Sequence, residues 1–186
     1  MSSMNRLLWL ALLFSAEGFA ETITTEPDAA SYHFVSHYRV QIDAPAEDIW
    51  PILIDLKSWM YEFDLTTESG EVGQPGQVLN LYAGQDFKIQ ITAIEANRML
   101  TMANLPLTFR DEYGTGLGVT TLHPRGSGTE VSLTMSRRYT WNGEGPNPVK
   151  AQRSSAEFQS QTRDMWQNRF LGRLKTLAEQ RGSTDQ

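Results

Sequence analysis

Arg137 stands where its segment has no place for a charge. Between Thr129 and Trp141 the apolar residues Val131, Leu133, Met135, Tyr139 and Trp141 fall at every second position, and Arg137 lies among them on the same face. A guanidinium on an apolar face needs an anion, because an unpaired charge out of water is costly. That anion is either a ligand's carboxylate or a buried Glu or Asp of the chain. The competing arrangement is a bulge at Arg137-Arg138 that turns both side chains to solvent. Around this position the aromatic residues Trp50, Phe63, Tyr82, Phe87, Tyr139, Trp141, Trp166 and Phe170, with Ile89, Ile91 and Met135, form the expected lining of a cavity. Plain core packing predicts the same residues. A cavity wall and a solid core look alike in sequence.

Other chemistry is weakly represented. His33 and His37 fall on the polar face of one strand and His123 on another, so no H-x-x-x-H pair lies on a helix and no metal is expected. Ser69 and Ser127 are flanked by turn residues rather than by the strand and helix of a nucleophile elbow. The run Gly114-Thr115-Gly116-Leu117-Gly118 lacks the lysine and following helix of a phosphate loop and is expected to be a simple loop. Glu62, Asp64, Asp86, Arg110, Asp111 and Glu112 could move protons, but each is expected as a solvated surface charge. No cofactor is implied by any of these residues.

Composition narrows the function classes. In 186 residues, 16 basic and 22 acidic side chains leave a net charge of -6, which disfavours nucleic acid as a partner. With no cysteine, thiolate nucleophiles, disulfides and cysteine zinc sites are impossible. At 40% hydrophobic the chain is globular, and its length suits one domain.

The elements that must position these residues follow from periodicity and breakers. His33 to Ile42 alternates, with Phe34, Tyr38, Val40 and Ile42 on one face, and ends at Asp43-Ala44-Pro45. Pro45, Glu47 and Asp48 open a helix whose apolar side is Ile49, Trp50, Leu53, Ile54 and Leu56. A second helical piece covers Lys57 to Phe63. Strands follow at Gln77–Ala83, Phe87–Ile91, Arg98–Leu105, Gly118–His123 and Thr129–Trp141, separated by Gly, Pro and Asn. Beyond Gly143–Pro148, one long helix is predicted from Val149 to Arg181. Its apolar stripe is Phe158, Thr162, Trp166, Phe170, Leu174 and Leu177. It carries seven basic against three acidic side chains. Pairing with the acidic remainder of the chain accounts for them better than a membrane-facing surface, although transient membrane contact stays open. Residues 182–186 are expected to be a frayed tail.

The N-terminus reads as an address. Arg6, the apolar run Leu7 to Phe14 and the small residues of Gly18-Phe19-Ala20 have the layout of a secretory signal cleaved after Ala20. Glu17 interrupts the run well short of the ~20 apolar residues a membrane span needs. The expected divisions are a signal at 1–20, a flexible leader at 21–32 and one domain at 33–181. The expected location is periplasmic or secreted, without stable membrane insertion.

The order and spacing of these pieces resemble the START-like helix-grip superfamily, the group of polyketide cyclases, lipid carriers and pollen allergens. The resemblance rests on Ile42-Asp43-Ala44-Pro45, then Ala46-Glu47-Asp48-Ile49-Trp50 and Asp55-Leu56-Lys57-Ser58-Trp59 with Phe63 four residues on. It continues through Pro75-Gly76-Gln77-Val78, Ile94-Glu95-Ala96-Asn97-Arg98-Met99-Leu100 and Gly128-Thr129-Glu130-Val131, and covers Tyr38 to Ala178. It implies an α+β fold in which a curled antiparallel sheet grips one long C-terminal helix around a hydrophobic cavity. It implies no single reaction, since binders, carriers and cyclases share the architecture. The expected function is an exported protein that holds a hydrophobic or amphipathic, lipid-like small molecule. The alternatives are a cyclase or dehydratase, which gains if Arg137, Tyr139 and an acid such as Glu112 converge, and a partner-binding module with no open cavity.

Overall fold

The computed structural model describes residues 22–24, 31–81, 87–109 and 111–184. Among these residues eight strands build one antiparallel sheet: β1 (Thr22–Thr24), β2 (Ser31–Ile42), β3 (Thr66–Ser69), β4 (Val78–Asn80), β5 (Lys88–Glu95), β6 (Met99–Phe109), β7 (Glu112–Arg125) and β8 (Gly128–Trp141). Their spatial order is β1-β2-β8-β7-β6-β5-β4-β3, so the first long strand crosses to pair with the last. Helices α1 (Ala46–Ile54) and α2 (Leu56–Trp59) connect β2 to β3. After β8 come α3 (Pro148–Arg153), α4 (Ala156–Arg163), a π-helical segment Asp164–Phe170, and α5 (Leu171–Thr184).

Short turns with left-handed residues close the hairpins. Arg125 pairs with Gly128 across Gly126-Ser127, and Gly126 takes φ +62°, as a two-residue hairpin turn requires. Between β5 and β6 the same service comes from Asn97, also at φ 62°. The alternation of β2 and β8 then puts Tyr38, Ile42, Val131, Leu133 and Met135 on the concave face, buried beneath the helices. Ile49, Leu53, Trp59, Phe170, Leu171, Leu174 and Ala178 meet them from the helical side, all at 0% exposure. Each buried side chain of this size stabilises the fold by about 1.5–3 kcal/mol.

The helix is fixed to the sheet by polar clamps as well as by packing. Gln167 accepts from the Arg39 backbone N–H at 3.0 Å and donates back to the Arg39 carbonyl. Lys175 donates to the Gln41 carbonyl at 2.7 Å, and Glu179 accepts from the Asp43 N–H at 3.0 Å. Alternate residues of β2 are thereby satisfied beyond the reach of short β1, whose register stops at Val35. Side chains of the helix finish an otherwise open strand edge.

The long C-terminal helix is present but not continuous. It breaks at Ser154-Ser155, where Ser155 caps α4 by accepting from the Phe158 N–H. The apolar stripe explains the π segment. Thr162, Trp166, Phe170 and Leu174 recur at steps of four, and each step overruns a 3.6-residue turn by about 40°. The wider i→i+5 turns take up the excess and keep Trp166 and Phe170 facing inward. Helix α5 also runs to Thr184, through residues expected as a frayed tail. Thr22–Thr24 and Ser31-Tyr32 are strand rather than leader. Strand β3, exposed along its whole length, has no apolar alternation to announce it.

Candidate functional site

Three glycines make the space. The run Gly114-Thr115-Gly116-Leu117-Gly118 is not a loop but the middle of β7, paired on both sides. On this strand Glu112, Thr120 and Leu122 point inward, and Gly114, Gly116 and Gly118 fall on that same face. At three successive inward positions that should fill the gap to the helix, β7 offers no side chain. The flanking strands lean over the vacancy. Gly118 lies between Met102 of β6 and Met135 of β8, and Gly116 lies between Asn104 and Arg137. A methyl group placed on Gly116 would sit 3.0 Å from Asn104 Nδ2 and 3.3 Å from Arg137 Cγ. A Cβ there would make these side chains give way by a few tenths of an ångström.

The result is a cavity of about 280 Å³ between the sheet and the C-terminal helix. Its apolar wall includes Met60, Phe63, Leu81, Phe87, Ile89, Met102, Leu133, Met135, Phe158, Met165 and Trp166. Among the described residues its polar groups are Asn104, Tyr139, Arg137 and Arg153, with no carboxylate. A smaller space of about 40 Å³ adjoins it at Phe87, Asn104, Tyr139 and Arg153, and there Glu112 is reached.

Of the side chains expected to line a cavity, Phe63, Phe87, Ile89, Met135, Arg137, Tyr139 and Trp166 do so. Trp50, Ile91 and Phe170 do not, because α1, the inner face of β5 and the π segment press them into the solid part of the core. Trp141 lies past the cavity at the end of β8, where its indole N–H donates to the Gly145 carbonyl at 3.1 Å. Tyr82 lies outside the described residues, as do Asp86 and Arg110 among the candidate proton carriers. The register of β8 is unbroken through Arg137 and Arg138, so there is no bulge. Arg137 faces inward, half-buried, and Arg138 faces solvent. The guanidinium of Arg137 donates to Met135 Sδ at 3.1 Å.

Glu112 departs most from expectation. It is 2% exposed rather than a surface charge. Its carboxylate accepts from the Tyr32 hydroxyl, from Arg153 Nη1 and, at 3.0 Å, from Asn147 Nδ2. Arg153 also donates to the Tyr32 oxygen at 2.9 Å and lies 3.7 Å over the Tyr139 ring. Tyr139 in turn stacks on Tyr32 at 5.2 Å. Burial first, and then the bond to Glu112, push the Tyr32 phenol well above its ordinary value. Asn147 adds a second role, capping α3 through the N–H groups of Val149 and Lys150. The cluster fastens the entry of the C-terminal helix to the sheet beside the cavity. Its sequence signal was the inward parity of position 112, hidden by the glycines that follow it.

Two further observations complete the site. The indole N–H of Trp166, in the cavity wall, is buried without a hydrogen-bond partner among the described residues. His33 and His37 sit on the outer face of β2, where they bond to Ser136 and Thr134 across the strand pair. Among the described residues no helix is long and apolar enough to cross a membrane.

No family model matches the chain, and no curated protein matches it by sequence. Solved structures do. A protein of unknown function from Staphylococcus aureus is similar with a TM-score of 0.58 at 11% identity, over 84% of this chain and 98% of that one. Ara h 8.0201 gives 0.53 at 13% identity, over 81% and 99%. A norcoclaurine synthase from Thalictrum, solved as a point mutant with a transition-state analogue, gives 0.51 at 13% identity, over 82% and 98%. At these identities the likeness establishes the fold: a curled antiparallel sheet gripping a C-terminal helix, with short helices after the first long strand.

Proposed function

We propose that this protein binds a hydrophobic or amphipathic small molecule in the cavity between β5–β8 and the C-terminal helix, and that it acts after export. One observation carries the binding reading: the inward face of β7 is emptied by Gly114, Gly116 and Gly118 at the place where the flanking side chains converge. A volume of about 280 Å³ lies just below the roughly 300–1,000 Å³ typical of ligand pockets. It suits a ring system or a single chain. The fold hosts catalysts too, as the norcoclaurine synthase shows for itself. Here the acid nearest the cavity among the described residues, Glu112, is engaged by Tyr32, Arg153 and Asn147, which favours binding over proton transfer. Export rests on the sequence of residues 1–20, and protein recovered outside the cytoplasm should begin at Glu21. Chain confined to the cytoplasm and beginning at Met1 would refute it.

The test of binding uses a neutral fluorescent probe, N-phenyl-1-naphthylamine, titrated into the mature protein. Saturable enhancement is expected at one site. Gly118→Leu places a side chain in the void, in a position where the nearest atoms to a new Cβ are at 3.9 Å or beyond. The folded variant should lose the enhancement. Undiminished binding by Gly118→Leu would refute the assignment of the site.

A further inference from the structure

Among the described residues the cavity wall carries a net positive charge: Arg137 and Arg153 both line it, and no described Asp or Glu does. Arg153 is neutralised by its ion pair with Glu112 and covered by the Tyr139 ring. Arg137 is not: among the described residues its guanidinium has a single side-chain partner, the Met135 thioether, which is a weak acceptor. Four of its five donor hydrogens thus have no partner among the described residues, in a chain that is acidic overall.

The surroundings of Arg137 are built rather than incidental. Asn104, Gly116 and Arg137 form one row across β6, β7 and β8. Because Gly116 has no Cβ, the Asn104 amide and the Arg137 stem close over the same spot from opposite sides. Two side chains rich in N–H donors are brought together at the polar end of a cavity whose remaining wall is apolar. A planar fork of donors matches a carboxylate in two hydrogen bonds.

We propose, building on the binding role above, that the ligand is an anionic amphiphile. Its head, a carboxylate or a group of similar shape, is held by Arg137 with Asn104 beside it. Its apolar body lies against Met60, Phe63, Ile89, Leu133 and Trp166. The ligand supplies the counter-charge that the described residues do not.

The experiment compares decanoate with decanol, each below its aggregation limit, by displacement of N-phenyl-1-naphthylamine. Wild type should bind decanoate at least tenfold more tightly than decanol. Arg137→Met keeps the apolar stem and should abolish that preference, lowering decanoate affinity about tenfold or more while decanol and the probe bind as before. Retained probe binding shows that the variant is folded. Arg138→Met, one residue along on the solvent face, should leave the preference intact. Gly116→Ala, which forces Asn104 and Arg137 apart, should weaken decanoate more than decanol. If the probe and decanol bind but decanoate shows no preference, or if Arg137→Met and Arg138→Met behave alike, the anionic ligand is refuted and the cavity stands. If neither decanoate, decanol nor the probe binds, the cavity reading falls and this one with it.

Discussion

Replacing Glu112 by Gln should be among the most damaging conservative substitutions in the chain. The change keeps shape and volume but removes the charge and turns one acceptor oxygen into a donor. At 2% exposure there is no water to compensate. Arg153, with 18% of its side chain exposed, is left as a nearly buried cation, and the Tyr32 hydroxyl loses its charged acceptor. Breaking a buried pair from one side costs about 3–5 kcal/mol. For a chain of this length that corresponds to a fall in Tm of about 6–20 °C. The contrast lies within the same molecule. Glu62 and Arg169 are also in direct contact, but with 27% and 42% of their side chains exposed. Glu62→Gln should therefore cost no more than about 1 kcal/mol. Chemical denaturation followed by near-ultraviolet circular dichroism measures both. The double variant Glu112→Gln/Arg153→Met should recover part of the loss, with a coupling of about 2 kcal/mol or more in the cycle. Equal costs for Glu112→Gln and Glu62→Gln, or strict additivity in the cycle, would refute the buried clamp.

Alkaline stability should report on Tyr32: its folded phenol titrates far above the ordinary value of 10, chiefly through burial, so stability is intact below pH 10 and falls above it. The slope reaches about 1.4 kcal/mol per pH unit, and Tyr32→Phe should flatten it when unfolding is measured from pH 8 to 11. Glu179 is held below its ordinary 4.5, first by the Asp43 N–H and then by Lys175, so its contribution is present above that value and disappears as pH falls through it. Glu179→Gln should accordingly cost up to about 1 kcal/mol at pH 7 and progressively less as pH falls below 4.5. Gly128→Ala puts a methyl 2.3 Å from the Ile42 carbonyl, a backbone atom of the paired strand, and should prevent normal folding. Gly172→Ala, in α5 with nothing within 4 Å of the new methyl, should instead stabilise by about 0.5–1 kcal/mol in the same melting assay.

What the sequence made legible, and what it hid, divide along one physical line. Elements whose signal is the presence of apolar side chains at a period were legible: β2 and β8 from alternation, α1 from its capping acids and apolar side, the C-terminal helix from its stripe. Arg137 was legible for the same reason, as a polar residue interrupting a pattern. Its inward orientation needed the pairing register, since a single extra residue in β8 would have turned it out. β3 was missed because all four of its residues are exposed and polar. Glu112 was misjudged because its partners Tyr32, Asn147 and Arg153 lie between 35 and 80 positions away in the chain. The cavity was hardest, because it is written in absences. Gly114, Gly116 and Gly118 share the parity of Thr120 and Leu122, and that parity is the evidence that they face inward. Glycine inside a strand is also a liability, costing roughly 0.5–1 kcal/mol each relative to alanine, and Gly118 has room for a Cβ. A fold selected for stability alone would fill those positions, as β8 fills its own with Val131, Leu133 and Met135. Three unfilled inward positions in a row, beneath a cation whose only described partner is a thioether, are a departure from local stability of the kind expected where a ligand completes the core.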